Sequence, residues 1–394
     1  MSSRILYLSL FLIPMIIFGA ELQIKPYTQW TFDTPIEQVI FLENAPGYPI
    51  YMIRTEMFIR IYDEQGEEVR KIQRLVDDRF ELNSARTGFM LVHEQELYDS
   101  PQTDKLSSFQ VFTSQGAPYY TNVHQSNFAT GELEYQLTDD LSILITERGK
   151  PWLLKMNAED TLLFLESVSE QVVEGCDPFV LATNLKNAGE VVTASSCIIP
   201  DTVSDYTTTD ISIWQDGELV ETVGRVGGEL RSIRNIPDSD YYFLEVDNKT
   251  QSSLTLFNRS KLLVTYPWKS WEIRAIDQTQ AFVISETDLN VVNLGDGAVS
   301  VSYHPIELTG ISDAAYMQEW GLFLYLRYQL FFDRDGKQAF RNFILEGVDH
   351  SGELVHRSSF GTWSTVLPKI SPVGKNKFAI HIHNAVLLYE IELK

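Results

Sequence analysis

Residues 240–303 read DYYFLEVDNKTQSSLTLFNRSKLLVTYPWKSWEIRAIDQTQAFVISETDLNVVNLGDGAVSVSY. Short runs rich in β-branched and aromatic residues are cut by polar turns carrying Asp, Asn and Gly, the pattern of strands joined as hairpins. Residues 240–268 give three consecutive strands, and GELRSIRNI just before them supplies a fourth. Residues 270–303 repeat that order. The segment is thus two copies of a four-stranded antiparallel unit, and almost no segment after residue 20 shows a convincing amphipathic helix period.

Working outward, the same hairpin recurs as MFIRIYDEQGEEVRKI (57–72), FQVFTSQGAPYY (109–120), ISIWQDGELVETV (211–223) and FILEGVDHSGELV (343–355). Each turn ends in Gly, which adopts the positive φ of a tight hairpin without a Cβ clash. Gly66 to Gly116 spans 50 residues, Gly116 to Gly217 spans 101, Gly217 to Gly297 spans 80 and Gly297 to Gly352 spans 55. The turns needed to fill the double steps fall at MNAED (156–160) and FNRS (257–260), giving six steps of about 48 residues. That is the length of one four-stranded propeller blade. The C-terminal stretch 366–394 holds three strands, and LQIKPYTQWTF (22–32) is a lone strand without a hairpin partner. Pairing the two completes a last blade and removes the exposed edges at the seam. The expected fold is therefore all-β, a closed β-propeller of seven or eight four-stranded blades over residues 21–394. Residues 305–365 resist division, and two packed β-sandwiches are the alternative.

The chain opens with Arg4, an apolar run from Ile5 to Phe18, and the small residues Gly19 and Ala20 before Glu21. This is the layout of a secretory signal over residues 1–20, shorter than a membrane-spanning helix requires, and an uncleaved anchor is its alternative. No later stretch is long and apolar enough to span a bilayer, so the mature chain is expected to be extracytoplasmic, periplasmic or secreted. Its two cysteines, Cys176 and Cys197, then meet an oxidising compartment and form a candidate disulfide. The formal charge of −23 repels phosphate backbones, which argues against nucleic acid and for solubility or the attraction of basic ligands.

Few residue patterns point to chemistry. Asp333 and Asp335, followed by Gly336, begin like a calcium loop but lack its later acidic ligands, so a plain hairpin turn is the competing reading. No cofactor is expected beyond that slender calcium option. His381 and His383 alternate along a strand and project to one face, where they could bind a metal or a ligand or simply pack. His93, His124, His304, His350 and His356 are scattered and carry no assignment. Trp268 and Trp271 stand at a connection between units, where rings can reach a ligand. Tyr206 to Asp210 reads as an exposed polar loop. There is no Gly-rich phosphate loop, G-x-S-x-G elbow or HExxH motif.

The period, the hairpin turns and the terminal closure resemble exported β-propellers as a class, without the blade signatures of any one family. That resemblance implies a monomeric, non-catalytic binding or scaffold protein presenting loops to a protein, peptide or glycan. The alternative is a hydrolase or lyase with carboxylates or histidines gathered at the channel mouth, invisible to local motifs because such sites are assembled from distant blades.

Overall fold

The structure is a computed structural model. It describes residues 22–31, 36–41, 51–63, 67–83, 85–97, 103–128, 133–147, 152–159, 161–165, 177–187, 189–198, 207–248, 251–270, 272–285, 288–304, 310–332, 334–360, 363–373, 375–382 and 384–393. They form eight antiparallel sheets arranged as a ring. Blade 1 comprises Gln38–Phe41, Tyr51–Arg54, Phe58–Tyr62 and Glu68–Gln73. Blade 2 comprises Arg79–Leu82, Gly88–Leu97, Thr103–Thr113 and Pro118–Phe128. Blade 3 comprises Leu133–Leu137, Ile143–Glu147, Trp152–Met156 and Thr161–Leu165. Blade 4 comprises Asp177–Asn184, Glu190–Ile198, Thr208–Gln215 and Glu218–Gly227.

Blades 5 and 6 are the two units of the opening stretch: Glu229–Asn235, Tyr241–Asp247, Ser252–Asn258 and Lys261–Tyr266, then Glu272–Ala275, Gln280–Ile284, Leu289–Asn293 and Val299–Tyr303. Blade 7 comprises Gly310–Met317, Leu322–Phe332, Gln338–Asp349 and Leu354–Ser359, with Trp363–Ser364 added against its third strand. Blade 8 takes Lys369–Pro372, Lys377–Ile382 and Ala385–Leu393 from the C-terminus and its outer strand, Leu22–Thr31, from the N-terminus. Leu22 pairs with Leu393 and Thr31 with Ala385, the closure expected from counting strands at the two ends. The count is eight because 305–365 makes one blade whose second and third strands, 11 and 12 residues long, outrun the rest of their sheet.

The core is a ring of layers, one between each pair of neighbouring blades. Tyr242, Leu244 and Val246 point into the layer shared with blade 4, while Phe243 between them points into the layer shared with blade 6. Successive residues of a strand face opposite sides of its sheet, so a strand sandwiched between two neighbours is apolar on both faces over most of its length. Outer strands lose that demand: Glu68–Gln73 and Glu218–Gly227 are largely exposed. The ring closes with Val39 and Ile53 of blade 1 packed on Ala379 and Val386 of blade 8. Packing of every sheet on both neighbours excludes the two-sandwich alternative.

In blades 2 to 7 the first and second strands are joined by an inner turn and the third and fourth by an outer turn, all on one face of the ring; in blade 8 the third and fourth strands come from opposite ends of the chain. Gly116, Gly217, Gly297 and Gly352 lie in the outer turns of blades 2, 4, 6 and 7, and 157–159 and 257–260 lie in those of blades 3 and 5. The 48-residue step is therefore one outer turn per blade. Gly297, at φ +73, also lies against the preceding blade, where its carbonyl accepts the Tyr266 hydroxyl at 2.5 Å. Residues 207–210 correct the loop expectation: Thr208–Gln215 is a strand and Thr209 is buried, its hydroxyl donating to the Gly228 carbonyl at 2.9 Å. The β-branched threonines fit a pleated strand better than their polarity suggested.

Candidate functional site

The inner turns end at the channel rim, and three of them enclose a cleft of about 210 Å³. Asp139 and Asp140 come from blade 3, Asn184, Leu185, Lys186, Asn187 and Gly189 from blade 4, and Asp238 from blade 5, with Lys155 reaching up from the third strand of blade 3. Each side chain is placed by the same local event, a strand turning back on itself within a few residues: the N–H groups of Thr138, Leu185 and Ile236 bond the carbonyls of Ser142, Glu190 and Tyr241. Leu141, Gly189 and Asp238 take the positive φ these turns require.

Asp139 is the hub of the cleft. It accepts the backbone N–H of Ala85 in blade 2 at 2.8 Å and the Asn235 amide of blade 5 at 3.1 Å. Asn235 in turn accepts the Thr183 hydroxyl at 3.0 Å, and Thr183 accepts the Gln136 amide at 3.0 Å, so one polar chain crosses blades 3, 4 and 5. Burial raises the Asp139 carboxyl above its ordinary range, and the nearby Asp238 charge adds to the effect despite those hydrogen bonds. Asp140 moves the other way. Burial opposes its ionisation, but the Thr138 hydroxyl and the Lys155 ammonium, 3.0 Å away, outweigh it.

The face around the cleft is rich in carboxylates because its turns are built on them. Asp277 accepts the N–H of Thr279, Asp296 that of Ala298, and Asp349 those of Ser351 and Glu353. Lower in the channel wall, Arg274 of blade 6 bonds Glu272 at 2.5 Å and Asp313 of blade 7 at 2.8 Å. Lys369 of blade 8 bonds Glu272 at 3.1 Å, and Asp313 also accepts the Ile370 N–H at 2.8 Å. The bonds from Arg274 to Asp313, from Lys369 to Glu272 and from Ile370 to Asp313 link the inner strands of blades 6, 7 and 8. A second acidic pair, Glu81 and Glu134, lies on the inner strands of blades 2 and 3, and burial followed by the Glu134 charge pushes Glu81 up to about 7.

Of the residues singled out in the sequence, none that the structure describes lines the cleft. Trp268 lies on the opposite face, stacked on Tyr266 at 4.1 Å and packed against the layer between blades 5 and 6; Trp271 lies outside the described residues. His381 is buried in the second strand of blade 8, opposite Lys369 and Val386, and His383 lies outside the described residues. Asp335 stands exposed in the hairpin turn of blade 7 beside Gly336, with Asp333 outside the described residues. Cys176 and the signal segment 1–20 are likewise outside them; Cys197 sits in a strand opposite Pro178. Among the described residues no group of three His, Cys, Asp or Glu side chains converges as a metal site, and no helix is long and apolar enough to cross a membrane.

No protein-family model and no curated protein matches the sequence. Solved structures do. BamB from Moraxella catarrhalis is 11% identical with a TM-score of 0.52, covering 93% of this chain and 100% of that one. The Dos1 propeller is 11% identical at 0.51, covering 93% and 95%. The β-propeller domain of Cps50 (Swd1) from Myceliophteria thermophila is 9% identical at 0.50, covering 92% and 98%. The likeness is one of fold. It spans the whole ring, and at these identities it carries no residue roles across.

Proposed function

We propose that this chain is an extracytoplasmic binding scaffold that presents the turn face of its ring to a protein or peptide partner, with the three-blade cleft receiving a basic side chain. The observation that carries this reading is the cleft itself. Its volume lies below the roughly 300–1,000 Å³ of a small-molecule pocket and suits a single long side chain. Its walls offer the carboxylates of Asp139 and Asp238 with the side-chain amides of Asn184 and Asn187, acceptors that match an ammonium or guanidinium group. Lys155 pairs with Asp140, and with Lys186 also in the lining the three carboxylates still outnumber the two lysines, leaving the cleft net negative. Burial disfavours the charge on Asp139, and an incoming cation supplies the partner that would favour it. Beyond the cleft, the carboxylate-rich face extends the attraction to basic partners and raises their encounter rate. The signal-like N-terminus supports the extracytoplasmic placement.

The test is a fluorescence-anisotropy titration of a labelled tetra-arginine peptide against its citrulline counterpart, which keeps the shape and removes the charge. The reading expects saturable one-to-one binding of the arginine peptide alone, weakened at least tenfold in Asp139→Asn/Asp238→Asn. Equal binding of both peptides, or an unchanged affinity in the double variant, would overturn it.

A further inference from the structure

On the opposite face, blade 6 holds a constellation unrelated to the cleft. Ser302 lies in the outer strand and His304 just beyond its end, two residues on, so both project from one side of that strand. The Ser302 Oγ is 3.3 Å from His304 Nε2. The other ring nitrogen, Nδ1, is within hydrogen-bond reach of an Asp288 carboxylate oxygen. Asp288 is fixed by a tight turn: its N–H donates to the Ser285 Oγ at 2.9 Å, and the Ser285 N–H donates to its carbonyl at 2.9 Å. The Ser302 hydroxyl donates to the side-chain oxygen of the buried Asn290, its cross-strand partner, at 2.8 Å, which seats the serine from beneath.

The chemistry follows from the donor inventory. An ionised carboxylate only accepts hydrogen bonds, so in this contact His304 carries its proton on Nδ1. The neutral ring then turns the lone pair of Nε2 toward the serine hydroxyl. Rotation of the Ser302 hydroxyl from the Asn290 oxygen to Nε2, 3.3 Å away, then sets nucleophile, base and orienting carboxylate in the order that activates a serine.

We propose that Ser302, His304 and Asp288 form a nucleophilic serine site that accepts acyl or phosphonyl groups from small activated esters and phosphonofluoridates. In the step, the Ser302 Oγ bonds to the carbonyl carbon or phosphorus while its proton passes to His304 Nε2. The bond to the leaving group breaks, and the leaving group departs with that proton, as a phenol from an aryl ester or as hydrogen fluoride from a phosphonofluoridate. Water then cleaves the acyl form by the reverse proton path. The His304 side chain is 69% exposed, so its surroundings are water-like and the gain over an ordinary serine is set by general-base assistance, about 10²-fold or more. Labelling is therefore a better readout than turnover.

The experiment incubates the full chain with an alkyl fluorophosphonate probe and maps the modified residue by mass spectrometry over time. The proposal expects a single adduct on Ser302, absent in Ser302→Ala and formed at least tenfold more slowly in His304→Ala and Asp288→Asn. Added imidazole restores the rate in His304→Ala. The Asn290 contact still seats Ser302 in that variant, so a slower reaction reports the lost base rather than a displaced serine. Both substituted side chains at the serine–histidine pair are on the surface, and an unchanged melting temperature verifies the fold. An unmodified Ser302, or equal labelling with and without His304, would overturn the proposal.

Discussion

Substituting Gly297 by Ala probes the packing of the blade 6 outer turn on the preceding blade. A side chain there adopts φ +73, and its Cβ collides with Val264 Cγ1 of the preceding blade while lying 3.0 Å from Val264 Cβ and 3.1 Å from the Tyr266 hydroxyl. The backbone conformation costs about 1–2 kcal/mol for a residue with a Cβ, and overpacking adds about 1–3 kcal/mol. Gly352 is the internal control, since it has φ +85 in the outer turn of blade 7 but nothing within 4 Å of an added Cβ. Gly352→Ala should therefore show the conformational cost alone. For a folded part of ~370 residues the unfolding entropy is about 0.8 kcal/mol/K, so the extra clash lowers the melting temperature by roughly 1–4 °C beyond the control. Adding Val264→Ala removes the colliding methyl, and the double variant should lose less than the sum of its parts. Thermal melts followed by circular dichroism read all four proteins. Equal effects of Gly297→Ala and Gly352→Ala, with full additivity to Val264→Ala, would refute the claim that the Gly297 turn leans on the preceding blade.

Three further outcomes follow from the same structure. Deleting residues 22–31 leaves Ala385–Leu393 as an open edge beside the closing layer, so the truncated chain should melt lower and elute as larger species on size exclusion. Replacing Arg274 by Met strands the buried Asp313 carboxylate, and chemical unfolding should show a loss of about 3–5 kcal/mol. Two carboxyls set opposite pH trends. Glu272, held well below its ordinary range by Arg274 and Lys369 although burial opposes them, contributes stability that is present above about pH 4.5 and lost as the pH falls. Glu81, pushed up to about 7, binds its proton more tightly folded than unfolded, so stability declines from about pH 4.5 through 7 as it ionises. Melting temperatures of Glu81→Gln should flatten that decline, by on the order of 1–2 kcal/mol between pH 5 and pH 8.

The architecture was legible because its information is local and repeated. Five of the described outer turns carry a residue at positive φ, and in four of them it is Gly, so the spacing of one residue type displays the blade. The lone strand at 22–31 and the three strands at the C-terminus announce closure in the same way. Blade 7 hid because its long second and third strands erase the usual spacing. The cleft hid for a different reason. Its inner turns reach positive φ with Leu141 and Asp238 as well as Gly189, so no single residue type flags them. Asp139, Asn184 and Asp238 stand roughly 50 residues apart and meet only when the ring places neighbouring inner turns side by side. Aligning the blades on their inner turns instead of their glycines is the signal that would have found them. The triad around Ser302 hid similarly: His304 was visible, but Asp288 reaches it from the loop across the third strand.

The most direct test of the binding account is a crystal structure of the full chain grown with the tetra-arginine peptide. The account predicts one guanidinium seated in the cleft, bonded to Asp139 or Asp238 and to the Asn184 or Asn187 side chain. A peptide ordered elsewhere on the ring, with the cleft filled only by solvent, would contradict it.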